Sequence, residues 1–135
     1  MIIYIDENLP PQFARGFHIL QEPENSKAGI SIEVKAIKDA FGEAVEDEEW
    51  IPKAGEQKAC AITQDFNIYR NKHQRELYLN HGLGIFFFKP VKGTKYWQKL
   101  EMIVKYWPEI CKIALRETKP FAYDIKHRGG VQKLE

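Results

Sequence analysis

Cysteine is scarce in this 135-residue chain: Cys60 and Cys111 stand far apart, each among apolar neighbours. Two such residues make neither a disulfide framework nor a Cys-x-x-Cys metal or redox motif, and they suit a reducing compartment. Long apolar runs are missing too, and nothing approaches the roughly 20 residues that a membrane-spanning helix requires. The amino terminus lacks a basic segment leading into an apolar core and a small-residue cleavage site. No His-x-x-x-His pair offers a zinc site. A formal net charge of +1 neither demands nor excludes a polyanionic partner, so local clusters must decide. These absences leave a soluble, cytoplasmic protein with no membrane partner, expected as a single domain over residues 1–135, long enough to bury a core without disulfides.

What is present begins with Ile2–Pro10, where an apolar run ends in Asp6, Glu7 and Asn8. Continuous apolar residues suit a strand buried on both faces, and ligands of open α/β sheets bind beyond the carboxyl ends of such strands. Asp6 belongs at that edge, although Asp6, Glu7 and Asn8 equally suit a turn that caps the next helix. Pro10 and Pro11 fit the start of that helix, and Phe13, Ala14, Phe17 and Leu20 recur at the spacing that packs one face on a sheet. Gln21–Gly29 reads as a polar loop, and Ile30–Ile37 as a second strand whose alternation points to a sheet edge. Asp47 is placed to cap a further helix carrying Trp50, Ile51, Ala54 and Lys58 on one side, with Pro52 fitting only its first turn. Acidic residues before Trp50 favour a helix amino terminus in any case.

Ala59–Thr63 is another buried strand, and Gln64-Asp65-Phe66-Asn67 repeats the arrangement at Asp6. If helices separate the strands, the strands run parallel and Asp6 and Asp65 leave the sheet on the same edge. With Asp47 or Glu48 arriving from a helix terminus, the oxygen-rich set suits Mg²⁺ or Mn²⁺. Beyond Asp65, Tyr69, Arg70, Lys72, His73 and Arg75 form a basic stretch with an aromatic inside it. Arginine and lysine hold phosphates while a ring accepts a base, so Arg70, Lys72, Arg75 and Tyr69 are the candidate nucleic-acid contacts. The alternative is a plain exposed helix face with Leu77 and Leu79 turned inward. His73 suits the surface or a phosphate better than a metal.

Leu83–Phe88 supplies a fourth strand, central in the sheet because it is continuously apolar. Gly93-Thr94 opens a long helix through Trp97, Leu100, Val104, Trp107 and Ala114, with a bend expected near Pro108 and its aromatics expected in packing. The tail from 119 to 135 carries Phe121–Ile125, the basic group Lys126-His127-Arg128, and two short strands around Gly129-Gly130, or a frayed end. The expected organisation is an α/β core over 1–88, a helix over 89–118 and a basic tail over 119–135, around a mostly parallel sheet of four to five strands.

Three motifs occur in order: Ile-Asp-Glu-Asn-Leu-Pro-Pro at 5–11, Asp-Glu-Glu-Trp-Ile at 47–51, and Ile-Thr-Gln-Asp-Phe-Asn at 62–67. The series resembles the PIN-like domain proteins, in particular the small prokaryotic branch related to VapC-type toxins, over about residues 1–88. The resemblance implies a three-layer α/β/α fold and a metal-dependent endoribonuclease site. It assigns the acidic positions to Asp6, Asp47 and Asp65, with Glu48 beside them. Asn67 stands where family members often carry another carboxylate, so it would serve as a neutral metal ligand or leave the site weaker. The resemblance further implies cleavage of single-stranded RNA, a cognate antitoxin and a homodimer. Two alternatives stand beside it. One is a catalytically weak module that binds nucleic acid or an antitoxin. The other is a phospho-acceptor receiver domain, for which Lys89 would supply the late lysine but which leaves the Asp47–Trp50 cluster unused.

Overall fold

Four apolar residues without polar alternation suit a strand covered on both sides, and Ile2–Ile5 forms one, β1, with Ile3, Tyr4 and Ile5 buried. The computed structural model describes residues 1–6, 8–126 and 128–134. After β1 come α1 (Pro11–Lys27), β2 (Glu33–Ala36), α2 (Ile37–Phe41), α3 (Asp47–Glu56), β3 (Cys60–Thr63), α4 (Asn67–Arg70) and α5 (Lys72–His81). The chain continues through β4 (Gly84–Phe88), α6 (Tyr96–Arg116), β5 (Phe121–Lys126) and β6 (Gly130–Lys133). Glu7, His127 and Glu135 lie outside the described residues, and with them the turn role expected of Glu7 and the part of His127 in the basic group.

One sheet holds every described strand in the order β2-β1-β3-β4-β5-β6, parallel except for the β5–β6 hairpin. Side chains alternate across each strand. Ile3, Ile5, Ile62, Phe86 and Phe88 face the layer of α1 and α6, whereas Tyr4, Ala61, Ile85 and Phe87 face α2 to α5. The fold is therefore a three-layer α/β/α sandwich. β2 takes the expected edge and β4 the expected central place. The sheet has six strands rather than four to five because the tail joins it. Phe121, Ala122, Tyr123 and Ile125 are buried as β5 pairs with β4, and Gly129 and Gly130, at φ +103° and +78°, turn the chain back into β6. Lys126 is thus paired with Gly130 across a hairpin, and the described part of the tail is not frayed.

Several boundaries differ from expectation for local reasons. The loop assigned to Gln21–Gly29 is helical as far as Lys27, since Gln21 turns inward and its Nε2 donates to the Ile32 carbonyl at 2.8 Å. Leu20, expected on the sheet, is correspondingly exposed. The second strand is only Glu33–Ala36, and Ile37 begins α2. Glu46 holds the N-cap position of α3 without a side-chain capping bond, so Asp47 is its first residue and Pro52 falls in the second turn instead of the first. Lacking an N–H, Pro52 leaves only the Glu48 carbonyl without its helical donor. Lys58 lies beyond the end of α3, at φ +56°. In α5 Tyr78 takes the inward place and Leu79 is exposed. α6 runs through Pro108 as one helix, and Trp97 on it is exposed instead of packed.

Burial pushes the Cys60 thiol up to about 12 and the Cys111 thiol up to about 11, so both stay protonated near neutral pH. Among the described residues, no helix is long and apolar enough to cross a membrane.

Candidate functional site

The chain leaves β1 for β2 on one side and later returns to place β3 on the other. Such a reversal opens a crevice at the carboxyl ends of the two strands. Asp6 follows β1 and Asp65 lies two residues beyond β3, so both carboxylates sit at this point, as their positions after buried strands predict.

Thr63, the last residue of β3, joins them. Its buried hydroxyl donates to Asp6 Oδ2 and accepts the Asp65 backbone N–H at 3.0 Å. The Asp6 N–H donates to the Ile62 carbonyl at 3.0 Å, which fixes the two strand ends against each other. Asp65 Oδ1 in turn accepts the Asn67 N–H at 3.0 Å, a local turn that starts α4. Sequence reasoning passed over Thr63, although it lies inside the third motif.

Asp47 enters from the first turn of α3. Instead of capping the helix, its carboxylate accepts Trp50 Nε1–H at 2.9 Å on Oδ1 and Gln74 Nε2–H at 2.7 Å on Oδ2. Gln74 comes from α5, and no sequence signal pointed to it. Burial raises the Asp47 pKa from its ordinary value. The Trp50 bond works against that rise, while the charges of Asp65, Asp6 and Glu48 add to it. The structure therefore brings Asp6, Asp47 and Asp65 within electrostatic reach of one another. Glu48 is exposed and faces the basic segment, with Oε1 3.7 Å from His73 Nε2. Asn67 is exposed at the start of α4.

The basic segment flanks this trio. Phe87 of β4 supports the rings of Phe66 at 4.9 Å and Tyr69 at 5.8 Å. Those rings carry guanidinium groups: Arg70 lies 5.3 Å from the Phe66 centroid and Arg75 4.5 Å from that of Tyr69. Tyr69 is thus a half-buried shelf for Arg75, and a base reaches that face only by displacing the guanidinium. Lys72 is exposed at the first position of α5, whose amino end is capped by Asn71 Oδ1 accepting from Gln74 N at 3.3 Å.

Among the described residues no three histidine, cysteine, aspartate or glutamate side chains are grouped closely enough to hold a metal ion by themselves. The donor chemistry nevertheless fits a hard cation. The three acids offer oxygen only, their mutual repulsion is the kind a divalent ion offsets, and Mg²⁺ commonly uses one or two carboxylates and keeps several waters.

A family model described as a PIN like domain matches residues 1–90. No curated protein and no solved structure matches the chain.

Proposed function

Because the chain belongs to the PIN-like domain family, whose members are generally nucleases, we propose that it is a Mg²⁺- or Mn²⁺-dependent endoribonuclease acting on single-stranded RNA. The observation that carries this reading is the convergence of acids from three separate segments. Asp6 and Asp65 leave the sheet at the crevice between β1 and β3, Thr63 bonds to both, and Asp47 on α3 lies within electrostatic reach of them.

In this reading Asp6 and Asp65 hold the ion, with Asp47 beside them and Asn67 available as a neutral oxygen ligand. When bound, the ion supplies Lewis acidity and a water of lowered pKa. Thr63 orients the Asp6 carboxylate through its hydroxyl and the Asp65 backbone through its oxygen. Trp50 and Gln74 orient Asp47. Asp47, held in place by those two bonds, would complete the metal's shell or orient the attacking water. Glu48, next along α3, adds negative charge and faces His73. Arg70, Lys72 and Arg75 position the phosphodiester backbone, and Tyr69 holds Arg75 in place. A toxin role with a cognate antitoxin that blocks the site belongs to the same reading.

A second reading draws support from one feature: both Asp47 oxygens already carry hydrogen bonds from the protein. A module whose acids are occupied in this way would bind RNA through the basic segment without cutting it. Cleavage of a mixed-sequence single-stranded RNA with Mn²⁺ or Mg²⁺ separates the two. Wild type should cut, and Asp6→Asn and Asp65→Asn should lose at least a hundredfold. Equal cleavage by all three proteins would expose a contaminating nuclease and remove the assignment. RNA retained without cleavage would favour the second reading.

A further inference from the structure

The carboxyl edge of the sheet continues past the acidic trio to the end of β4. Thr63 pairs with Phe87, so Asp65 and Lys89 each stand two residues beyond that paired position, on neighbouring strands roughly 5 Å apart. From Lys89 the chain runs Lys-Pro-Val-Lys-Gly-Thr-Lys-Tyr-Trp-Gln-Lys into the first turn of α6. Lys89, Lys92, Lys95 and Lys99 thus fall within eleven residues, with no acid among them. Trp97 borders Gln12 and Phe13 in the first turn of α1, which the chain reaches soon after Asp6. The segment therefore flanks the acidic site on the side of α1 and α6, whereas Arg70, Lys72 and Arg75 flank it on the side of α3 and α5.

No ion pair among the described residues uses any of the four lysines. Glu101, the nearest acid in sequence, stands exposed one turn along α6 from Trp97 and pairs with none of them. Lys126, which follows the neighbouring strand β5, differs in this respect, since it lies 3.3 Å from Asp124. Positive charge at the start of a helix also opposes its dipole, and the first turn of α6 holds no acid, so these lysines do not serve the helix. Among them stand Tyr96 and Trp97, 45% and 76% exposed, their rings meeting edge to face at 5.0 Å. Tyr69 in the other basic segment is half-buried under Arg75, so Trp97 is the ring that offers an open surface.

From this placement we infer that residues 89–99 are a second contact segment for single-stranded RNA, across the sheet edge from Arg70, Lys72 and Arg75. Lys89, Lys92, Lys95 and Lys99 take phosphates and Trp97 stacks on a base, the combination that holds a single strand without reading its sequence. The strand then crosses from one helix layer to the other and passes the acidic trio midway. The inference rests on the nuclease reading for its ligand. Most of the segment, residues 91–99, lies beyond the stretch that the family model matches.

The probe is a uridine 12-mer, with binding measured in EDTA so that no strand is cut. Trp97 reports its own contact, since Trp50 and Trp107 are buried, and the 12-mer should quench its emission. Trp97→Ala should weaken binding at least fivefold, and Trp97→Phe should restore most of the loss. An abasic 12-mer, which has nothing to stack, should bind wild type and Trp97→Ala equally. The double variant Lys92→Glu, Lys95→Glu alters exposed positions and should weaken the 12-mer at least tenfold. Its slope of log affinity against log salt should fall by about 1.4, the loss of two phosphate contacts to a single strand. Unquenched Trp97 emission, or unchanged affinity in both the Trp97→Ala and the lysine variants, overturns the inference. So does a 12-residue polyglutamate that binds as tightly as the RNA, because the segment would then serve an acidic protein. RNA held in EDTA but never cut with Mn²⁺ would remove the nuclease reading alone. Cutting by wild type, with RNA binding untouched in these variants, would remove this inference alone.

Discussion

Replacing Gly55 by alanine adds one carbon where α3 packs against the last residue of α5. That carbon would lie 2.2 Å from the His81 carbonyl oxygen and 2.9 Å from its carbonyl carbon, both backbone atoms that cannot rotate away. Ordinary contact begins near 3.4 Å, so the helices must part by about a further ångström. Overpacking of this kind costs about 3 kcal/mol, the upper part of the usual range. Alanine returns about 1 kcal/mol through its better helix propensity. The net loss is then about 2 kcal/mol. With an unfolding entropy of roughly 2.1 cal/mol/K per residue, or about 0.28 kcal/mol/K for a chain of this length, Tm should fall by about 7 °C. Gly16→Ala is the matched control, since its new carbon meets nothing and only the propensity gain remains. Its Tm should rise by about 3 °C. Thermal melts followed by circular dichroism compare the two directly. The same parting of α3 from α5 would stretch the 2.7 Å bond from Gln74 to Asp47, so Gly55→Ala should also lose activity at temperatures where it is fully folded. A Gly55→Ala protein that melts at or above wild type would refute the packing argument and the link drawn from it to the acidic site.

Other outcomes follow from the site itself. Thr63→Val removes a buried hydroxyl that serves both Asp6 and the Asp65 backbone, and chemical denaturation should show a loss of about 1–3 kcal/mol that Thr63→Ser largely restores. Mn²⁺ at a hundred times its dissociation constant should stabilise wild type by about 2.7 kcal/mol in a titrated melt, and Asp6→Asn should abolish the shift. Asp47 sets a pH dependence whose sign is fixed by its raised pKa. The folded state holds the proton more tightly than the unfolded chain, so this residue's contribution is greatest below its ordinary value of 3.8 and is lost as pH rises through the raised one. Urea midpoints measured from pH 3 upward should therefore decline less steeply across that window in Asp47→Asn than in wild type; parallel curves would show that the burial and charge at Asp47 are misjudged.

Much of the site was legible because chemistry and chain direction coincide. A buried strand that ends in an acid announces its own edge, and two such strands joined through helices must place Asp6 and Asp65 together. Asp47 was legible as an acid opening a helix but not in its role. A cap and a side chain pinned by Trp50 and Gln74 look alike until α5 is laid beside α3. Gln74 lies 27 residues away without any distinguishing pattern, and Thr63 reads as one more β-branched strand residue.

By itself, then, the sequence determined the alternation of strands and helices, the three acidic positions and the basic run behind them, since each is carried by local pattern or by a strand's end. Tertiary structure decided what depends on which surfaces meet. It brought the tail into the sheet as β5 and β6, turned Gln21 inward and Leu20 outward, and gave Asp47 its two donors. It also left Trp97 and Val104 exposed, although their spacing is that of core residues. Periodicity shows that a helix has an apolar face; only the placement of its neighbours shows whether that face is covered.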